Sequence, residues 1–403
     1  MKTVKLGDIS NIEISGIDKK IKENEISVRL CNFTDIYRNW TITEEFYNDF
    51  MQATANTNEI SKFALKQGQV AITKDSETRD DIGMSAYIDC SFEDVVLGYH
   101  CALITPNESK LNGKFLNAFL NSKYGRKYFE FQASGSGQRY TLTNTAIASI
   151  RIPLIDIELQ EKIGNIFDAI DKKMLYNNQI QNTIEDMMKT LYQRWFLEYE
   201  FPNNEGKPYK SNGGKFIYND KVKQEIPIGW NAERLLDIAN LYQPQTISTN
   251  QLLNDGIYSV YGANGIIGKY NKYNHEENEI AITCRGASCG NKVMTMPYSW
   301  ITGNAMVVKP KDNKEYLFYS LSKERIMPLI TGSAQPQLTR DNFNTLNIIT
   351  PNKKITDNFE EIATKNRLII QNIFYENQYL TDLRNYLLPM LVNGQININE
   401  VKL

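Results

Sequence analysis

Long hydrophobic runs are missing from this 403-residue sequence, in which no stretch approaches the roughly 18 consecutive apolar residues of a membrane-spanning helix. Residues 1–6 pass directly into polar sequence, without the apolar segment of a signal peptide. Hydrophobic residues make up 41% of the chain and charged residues 23%, as in ordinary globular proteins. At roughly 150 residues per domain, the length predicts two or three domains. We expect a soluble, cytoplasmic protein.

Cysteine and histidine are scarce. The five cysteines stand at positions 31, 90, 101, 284 and 289. They form no CxxC pair, and a structural zinc site needs four clustered ligands, so we predict no metal site. The two histidines, His100 and His275, have no recognisable acid or nucleophile partner in the sequence. The scattered cysteines fit a cytoplasmic protein, and the isolated histidines argue against His-based acid–base catalysis.

The motifs of several enzyme classes are absent as well. The sequence contains no G-x-S-x-G nucleophile elbow, no Gly-rich dinucleotide fingerprint and no Asn-Pro-Pro-aromatic tetrapeptide. A loop at Gly262 superficially resembles a phosphate loop, but Gly268 follows after six residues instead of five, and Tyr270 replaces the Ser or Thr. Asp156 and Glu158 could begin a nuclease carboxylate set, but position 160 is Gln instead of Lys. Both carboxylates lie just before a predicted helix, whose dipole favours acidic side chains there. We predict that the chain performs no chemistry and binds no cofactor itself.

The net charge gives no strong signal for a nucleic-acid partner. The formal net charge is −2 at pH 7. Residues 201–355 are basic, with 18 Lys and Arg against 13 Asp and Glu, whereas residues 156–200 and 356–403 are acidic. A protein that binds DNA alone usually has a stronger positive field, but one that shares the task with a partner does not need it. Charge therefore neither proves nor excludes DNA binding.

The sequence contains an internal repeat. Five short segments recur in the same order, and the offset between the copies falls from 229 to 196 residues. The matched segments begin at residues 6 and 235, 70 and 280, 101 and 305, 135 and 332, and 142 and 338. A steadily falling offset is expected of two diverged copies with loops of unequal length. Each copy has a β-rich region punctuated by Gly, Asn and Pro, followed by a long helix.

The two predicted helices, at about residues 160–196 and 357–391, carry heptads whose a positions align at an offset of 196. Such heptads predict a coiled coil, and one antiparallel register places Asn177 opposite Glu376. The alternative is that each helix only packs against its β-rich region. The predicted seam comprises Ile163, Ile170, Asn177, Ile184 and Leu191 in the first helix and Phe359, Ile373, Glu376, Leu380 and Leu387 in the second. The d positions also include Ile180, Met187, Ile362 and Ile369.

The predicted fold class is α+β. We expect two β-rich domains in tandem repeat, each followed by a long helix, with the two helices paired as an antiparallel coiled coil. The predicted boundaries are 1–155 for the first β-rich domain, 156–200 for the central spacer helix, 201–225 for a polar, Gly- and Pro-rich linker, 226–355 for the second β-rich domain and 356–403 for the C-terminal spacer helix and tail.

Polar loops at corresponding places in the two copies carry side chains suited to DNA. Arg can fork onto guanine, and Asn or Gln onto adenine, whereas Lys and Ser suit phosphate. Each residue taken alone is better explained as a solvated surface group, and only the clustering at equivalent loops of the two copies favours DNA. The candidates are Lys74, Arg79, Gln138, Arg139 and Tyr140 in the first copy and Lys269, Tyr270, Lys272, Arg285, Ser288, Asn291, Lys292, Gln335 and Gln337 in the second.

With these motifs the sequence resembles the specificity subunits of type I restriction–modification systems. The resemblance extends over nearly the whole chain and rests on the domain starts, on glycine-containing segments of the second copy and on the helix ends. These segments are residues 6–9, 191–196, 226–230, 235–238, 261–268, 285–290, 332–339 and 383–388. The first copy diverges more, since residues 135–140 lack the proline that stands at position 336.

The resemblance implies that each β-rich module is a target-recognition domain that reads one half of a split, asymmetric DNA site, with the helices setting the spacing. It also implies two methyltransferase subunits, which methylate adenine at N6 with S-adenosylmethionine, and motor–nuclease subunits, which use ATP and magnesium to cleave unmethylated DNA. Two other classes stay open: a nucleic-acid enzyme that acts alone, and an interaction protein that binds sugar or peptide at two places. Strongly salt-dependent binding distinguishes DNA from the latter.

Overall fold

The computed structural model describes residues 2–135, 139–253, 255–263, 265–323, 326–332, 335–343 and 345–392. It divides into two compact units, the first formed by Met1–Asn178 with Tyr375–Leu403 and the second by Gln179–Phe374. Each unit contains one β-rich region and a segment of both long helices. The unit boundaries fall inside the helices, whereas the predicted domain boundaries fall at the helix ends and stay a prediction.

The β-rich region of the first unit consists of short strands and helices. The strands are β1 (Thr3–Lys5), β2 (Ser10–Ile14), β3 (Ile26–Cys31), β4 (Thr41–Ile42), β5 (Met51–Ala55), β6 (Val70–Thr73), β7 (Asp75–Ser76), β8 (Ser85–Ile88), β9 (Val95–Leu97), β10 (Cys101–Pro106), β11 (Ser134–Gly135), β12 (Tyr140–Thr141) and β13 (Arg151–Pro153). The helices are α1 (Phe33–Arg38), α2 (Thr57–Phe63), α3 (Gly113–Leu120), α4 (Lys123–Gln132) and α5 (Asn144–Ala148). The long helix α6 (Ile157–Tyr192) follows and ends in a π-helix at Gln193–Leu197.

A five-stranded sheet in the order β2-β10-β6-β8-β4 lies between two hydrophobic cores. Its strand β6 is buried along its whole length, because alternate side chains point into different cores. Val70 and Ile72 belong to the core that contains Phe115 of α3, whereas Ala71 belongs to the core that contains Leu30 of β3. The smaller sheets of this unit are β5-β3-β9, β11-β12-β7 and β1-β13.

The second unit repeats this plan with fewer strands. Its strands are β14 (Phe216–Asn219), β15 (Gln224–Pro227), β16 (Asn231–Arg234), β17 (Ala239–Tyr242), β18 (Tyr258–Gly262), β19 (Gly265–Tyr270), β20 (Ile280–Thr283), β21 (Lys292–Met294), β22 (Trp300–Ile301), β23 (Ala305–Pro310) and β24 (Asn347–Thr350). Its helices are α7 (Leu235–Ile238), α8 (Lys314–Lys323) and α9 (Arg340–Phe343), and the second long helix is α10 (Lys353–Val392). The central sheet has the order β17-β23-β20-β21.

The strand pairing agrees between the two copies residue for residue. In the first copy Cys101 lies opposite Thr73, and in the second Ala305 lies opposite Thr283. Residues 101 and 305 correspond at a sequence offset of 204 residues, and residues 73 and 283 correspond at an offset of 210 residues. The pairs β1–β13 and β16–β24 agree in the same way. The internal repeat and the α+β class are therefore confirmed.

In the first unit, α6 and α10 pack side by side in antiparallel directions. Their apolar contact contains Ile163 and Ile170 of α6 and Leu387 of α10, with Leu380 partly buried beside them. At the polar end of this contact, the Asn177 amide nitrogen donates to Glu376 at 2.7 Å. The same core includes β-strand and α3 residues. The two helices therefore pair with each other, as predicted, and also pack against the β-rich region. The alternative that each helix only packs against its β-rich region is wrong.

In the second unit the helix contact follows a different row of side chains from the predicted one. Ile184, Phe359 and Ile373 are buried and Leu191 is partly buried, as expected for the a positions. The d positions, however, are exposed, and this part of the heptad assignment is wrong. They are Ile180, Met187, Ile362 and Ile369.

The buried row in this unit runs through residues four apart, at 184, 188 and 192 in α6 and at 359 and 363 in α10. Since four residues turn a helix by slightly more than one full turn, such a row drifts around the helix instead of following the a/d seam. The aromatic rings of α8 occupy this region: the Tyr192 ring is stacked on Tyr319 at 6.1 Å and tilted against Tyr316 at 5.9 Å.

Residues 201–225, predicted as a linker from their composition, are folded. Phe201 is buried, and its ring stacks on Tyr209 at 4.6 Å and on Trp230 at 5.0 Å. Strands β14 and β15 then form an antiparallel hairpin. Gly206 and Gly213 have positive φ in this segment, and Pro202 and Pro208 pair with each other in an isolated antiparallel β-bridge. Composition alone does not reveal that such a segment is folded.

Candidate DNA interface

The first-copy candidates lie around a three-stranded sheet in the order β11-β12-β7. Tyr140 pairs with Ser76 and Thr141 pairs with Asp75, although these residues are about 65 positions apart in the sequence. Lys74 immediately precedes β7, and Arg139 immediately precedes β12. The structure therefore brings Lys74, Arg139 and Tyr140 together, as the clustering of the candidates predicted.

Asp75 lies at the centre of this group. Its Oδ2 accepts hydrogen bonds from Lys74 Nζ at 3.0 Å and His100 Nδ1 at 2.6 Å, and Arg139 Nη2 lies at 3.4 Å. Burial opposes ionisation of this carboxyl, but hydrogen bonds from Thr141, His100 and Lys74 outweigh it and lower the pKa of Asp75 to about 2. Asp75 is therefore a permanent anion with three cationic or donor groups around it.

His100 has the acid partner that the sequence did not reveal. Its backbone has a φ of +72°, a region that non-glycine residues rarely adopt. The carbonyl of His100 accepts from the Lys74 amide at 2.8 Å, which holds the residue beside β7. The expectation that His100 lacks an acid partner is wrong, because the pairing of β6 with β10 brings residues 75 and 100 together.

The exposed edge of this group is aromatic and basic. The guanidinium of Arg79 lies over the ring of Tyr140 at 5.2 Å, a cation–π contact. An open cleft of about 740 Å³ is lined by Lys74, His100 and Arg139 among others. Gln138, the remaining first-copy candidate, lies outside the residues that the structure describes.

In the second copy, one group of candidates meets at the equivalent strand junction. Arg285 forms an isolated β-bridge with Gln337, and Gly286 donates its amide to Pro336 at 3.1 Å. Arg285, Gln335 and Gln337 are all exposed there. The structure therefore places a guanidinium and two amides, the groups that read guanine and adenine, on one exposed edge.

Ser288 and Asn291 belong to the turn that supports this edge. The Ser288 hydroxyl donates to the Ala263 carbonyl at 2.7 Å, and Thr283 donates to the same carbonyl at 2.5 Å. The Asn291 carbonyl accepts from the Thr283 amide at 2.8 Å, and Lys292 begins β21 directly after it. The Ser288 hydroxyl thus holds a neighbouring loop, a role that its spacing in the sequence does not indicate.

Lys269, Tyr270 and Lys272 lie elsewhere in the same module. In the β18–β19 hairpin, Tyr270 pairs with Tyr258 at the end opposite to the turn at Gly262 and Gly265. At about 3.3 Å per residue, this separates Tyr270 from that turn by roughly 15 Å. The Tyr270 ring packs edge-on against Trp300 at 5.5 Å. The second-copy candidates therefore form two groups, one at the strand junction and one at the far end of the β18–β19 hairpin.

His275 is buried away from both groups. Its Nε2 lies 2.9 Å from the Tyr242 hydroxyl, and its Nδ1 lies 2.6 Å from Asn274 Oδ1. Burial, and then the charge of Lys309, lower the pKa of His275 to about 4. This histidine is a neutral core residue with its two ring nitrogens hydrogen-bonded. Within the described ranges, no group of three or more His, Cys, Asp or Glu side chains is placed to hold a metal ion.

Two copies of one β-rich module, each with a polar strand junction and each joined to a long helix, define a protein with tandem recognition modules. The family described as "Type I restriction modification DNA specificity domain" matches this chain at residues 1–186 and again at residues 227–373. The matched residues make up more than half of the chain, with one segment in each copy. The chain therefore belongs to the type I restriction–modification DNA specificity family.

Individual relatives support the same assignment. The type I restriction enzyme HindI specificity subunit of Haemophilus influenzae is 24% identical over 415 residues, covering 83% of this chain and 88% of the relative. The type I restriction enzyme MjaIX specificity subunit of Methanocaldococcus jannaschii is 24% identical over 293 residues, covering 66% of each.

A solved structure shares the fold. The crystal structure of the S subunit of a type I restriction–modification system from M. genitalium aligns with a TM-score of 0.58 and 15% identity, covering 97% of this chain and 95% of that chain. In the part of the chain that the structure describes, no helix is both long enough and apolar enough to cross a bilayer.

Proposed function

We propose that this chain selects the DNA sequence for a type I restriction–modification complex, without catalytic activity of its own, and that each module reads one half of a split, asymmetric site. The observation that carries the proposal is the strand junction, which has the same backbone pairing in both copies but different polar side chains. Asp75, His100 and Arg139 stand there in the first copy, and Arg285 and Gln337 in the second. Because the two junctions share one backbone arrangement but carry different side chains, they are suited to bind two half-sites of different sequence.

The side chains at these junctions match the chemistry of base edges in the major groove. Arginine offers a planar fork to guanine, and glutamine offers a donor and an acceptor to adenine. Contacts to phosphate and sugar position a protein on DNA without reading sequence, and they come from Lys74, Arg79, Tyr140, Lys269, Tyr270, Lys272 and Lys292. Because the chain has a net charge of only −2, partner subunits supply much of the attraction to the DNA backbone.

The partners in this proposal are double-stranded DNA and two methyltransferase subunits, and two motor–nuclease subunits can join the complex. S-adenosylmethionine belongs to the methyltransferase subunits, and ATP and magnesium belong to the motor–nuclease subunits, so no cofactor is assigned to residues of this chain. The paired helices α6 and α10 act as the spacer between half-sites. A complex that modifies cellular DNA works in the cytoplasm, which is the location we propose.

The test is to co-express the chain with the methyltransferase subunit of the same system and to map N6-methyladenine across plasmid DNA by single-molecule sequencing. The expected result is one bipartite motif that disappears when this chain is omitted. Methylation without a bipartite motif, or methylation that does not depend on this chain, contradicts the proposal. Methyl transfer by the chain alone indicates an enzyme instead, and DNA affinity that is insensitive to salt argues against DNA as the ligand.

A further inference from the structure

The junctions of the two copies are held by the same backbone hydrogen bonds. In the first copy, the Lys74 amide donates to His100 at 2.8 Å, and the Lys74 carbonyl accepts from Leu142 at 2.7 Å. In the second, the Cys284 amide donates to Asn304 at 3.0 Å, and the Cys284 carbonyl accepts from Leu338 at 3.0 Å. By the sequence offsets of the repeat, Lys74 corresponds to Cys284, His100 to Asn304 and Leu142 to Leu338. The two copies therefore share one backbone arrangement at the junction, which we call the frame, and they differ in the side chains attached to it.

On this frame, Asp75 stands where the second copy has Arg285, because both residues directly follow the equivalent positions 74 and 284. In the second copy, the exposed arginine of the junction is therefore Arg285, which directly follows Cys284. The first copy has an anion at that place, and its guanidinium comes from the adjacent strand instead, as Arg139. The two modules present an arginine at the same junction by different routes.

His100 connects the anion to the guanidinium. The Asp75 carboxylate accepts from His100 Nδ1–H, and in the neutral tautomer with hydrogen on Nδ1 the other ring nitrogen, Nε2, is an acceptor. Arg139 Nη2 lies 3.0 Å from Nε2 and also contacts Nδ1. Asp75, His100 and Arg139 therefore form a chain of contacts in which each member restricts the orientation of the next.

The arginine at the end of this chain is oriented and still accessible. The Arg139 side chain is 59% exposed, whereas that of Asp75 is 11% exposed and that of His100 is 23% exposed. Arg139 lines the open cleft, and its hydrogen bonds to described residues use Nη2. A fork of two hydrogen bonds to a ligand therefore combines Nη1 with the second hydrogen of Nη2. An arginine held in one orientation loses less side-chain freedom on binding than a mobile one.

We propose that Arg139 reads a guanine in the half-site of the first module, and that Asp75 and His100 are positioning residues for its guanidinium. The inference rests on the proposed function, since it names the base that one junction reads. The matching chemistry is the pair of acceptors N7 and O6 on guanine, which an arginine fork contacts with two hydrogen bonds. The exposed Arg139 fork supplies these donors at the edge of the cleft.

The experiment uses the full chain co-expressed with its methyltransferase subunit and maps N6-methyladenine across plasmid DNA. The native chain is expected to give a bipartite motif. One of its half-sites contains a guanine, and that half-site is the one whose recognition changes in Arg139 variants. Arg139→Ala and Arg139→Lys are expected to lose discrimination at that one base pair by roughly 5- to 150-fold, because both lack the fork. The other half-site is expected to stay unchanged.

His100 variants test the positioning role. His100→Ala is expected to relax the same base pair as Arg139→Ala, whereas His100→Gln, which can donate to Asp75 and accept from Arg139, is expected to restore most of the discrimination. A residue that only stabilised the fold of the first module would weaken every base pair of that half-site, and His100→Gln would not restore one base pair selectively. Lys127→Ala, on the exposed face of α4, is the matched control and is expected to leave the motif unchanged.

The outcomes separate this inference from the proposed function. If the native chain gives no bipartite motif, the proposed function fails. If the native motif is present but Arg139→Ala and Arg139→Lys leave every base pair equally selective, or weaken methylation uniformly, Arg139 contacts phosphate or no DNA and the inference is overturned. A relaxed base pair other than G·C overturns it as well. Arg139→Lys keeps the charge and tests the fork even where Arg139→Ala reduces the yield of complex.

Discussion

Asn177 of α6 donates its side-chain amide to the Glu376 carboxylate of α10 at 2.7 Å and to the Asn377 side chain at 2.8 Å. Asn177 is nearly fully buried, while Glu376 is partly exposed and also pairs with Lys173 at 3.2 Å. The hydrogen bond from Asn177 is the largest cause of the lowered pKa of Glu376. A single buried polar residue in an apolar helix contact favours one register, since any shift leaves it without partners.

Replacing Asn177 tests this register. Asn177→Ala removes a buried donor from two acceptors, and we expect a loss of about 1 kcal/mol in the local stability of the helix pair. The measurement is hydrogen exchange of the α6 backbone amides, which we expect to be roughly fivefold faster in Asn177→Ala than in the native chain. Glu376→Gln keeps an acceptor at the same place and is expected to lose less. Equal exchange in the native chain and Asn177→Ala contradicts the role of Asn177.

The ion pair between Arg367 and Glu315 is a second target. Both side chains are buried, and they form two parallel hydrogen bonds of 2.9 Å. Arg367→Met leaves the Glu315 carboxylate buried without its partner, and we expect about 3–5 kcal/mol of destabilisation in chemical denaturation.

The double variant Glu315→Gln with Arg367→Met removes both charges and is expected to recover much of that loss. Lys365→Met, which breaks only the exposed pair with Glu361, serves as the control and leaves stability essentially unchanged. A single variant Arg367→Met that is as stable as the native chain would show that the buried pair contributes little.

The stability of the second unit depends on pH through His275. The folded unit keeps this residue neutral down to about pH 4, whereas in the unfolded chain it binds a proton near its ordinary pKa of 6.5. The unfolded state therefore binds more protons between these values, and stability decreases as the pH falls from about 6.5 to about 4. The full effect is on the order of 3 kcal/mol.

Urea denaturation at pH 7 and at pH 4.5 measures this dependence. His275→Gln retains a donor and an acceptor for Asn274 and Tyr242 but does not titrate. We expect this variant to lose less stability on acidification than the native chain does. Parallel pH profiles for the two proteins would show that His275 is not the group responsible.

Arg285 provides a test of the second module. We expect Arg285→Ala to relax one base pair in one half-site of the methylated motif, with a loss of discrimination worth about 1–3 kcal/mol. Lys323→Ala, an exposed change on α8, is the matched control. Equal weakening of both half-sites, measured in the same methylation map, would identify Arg285 as a phosphate-contacting or structural residue.

The helices provide a test of spacing. We expect that four residues inserted beside Asn178 in α6, together with four beside Tyr375 in α10, lengthen the gap between half-sites while both half-sites keep their sequences. Four residues add about 6 Å of helix, close to two base pairs at 3.4 Å each. A methylated motif with unchanged spacing would exclude the spacer role of these helices.

Local and periodic features of this protein are predictable from its sequence. The five repeated segments correspond to equivalent strands, with Thr73 and Thr283 in matching registers. The heptads also place Asn177 opposite Glu376, because helix geometry converts sequence spacing directly into position along the helix. The exposed Ile180 and Met187 depart from this rule, since the packing of α6 against α8 and α10 selects a different row of side chains.

The partners of individual polar groups depend on the path of the chain through the fold. Asp75 and His100 are 25 residues apart, and no periodicity connects them, yet antiparallel pairing of β6 with β10 places their side chains 2.6 Å apart. The sequence around Ser288 predicts an exposed loop, but the Ser288 hydroxyl donates a hydrogen bond to the Ala263 carbonyl. The sequence by itself determined the repeat, the long helices and the family, whereas only the tertiary structure decided which side chains meet, because hydrogen bonds between distant segments depend on how strands pair in space.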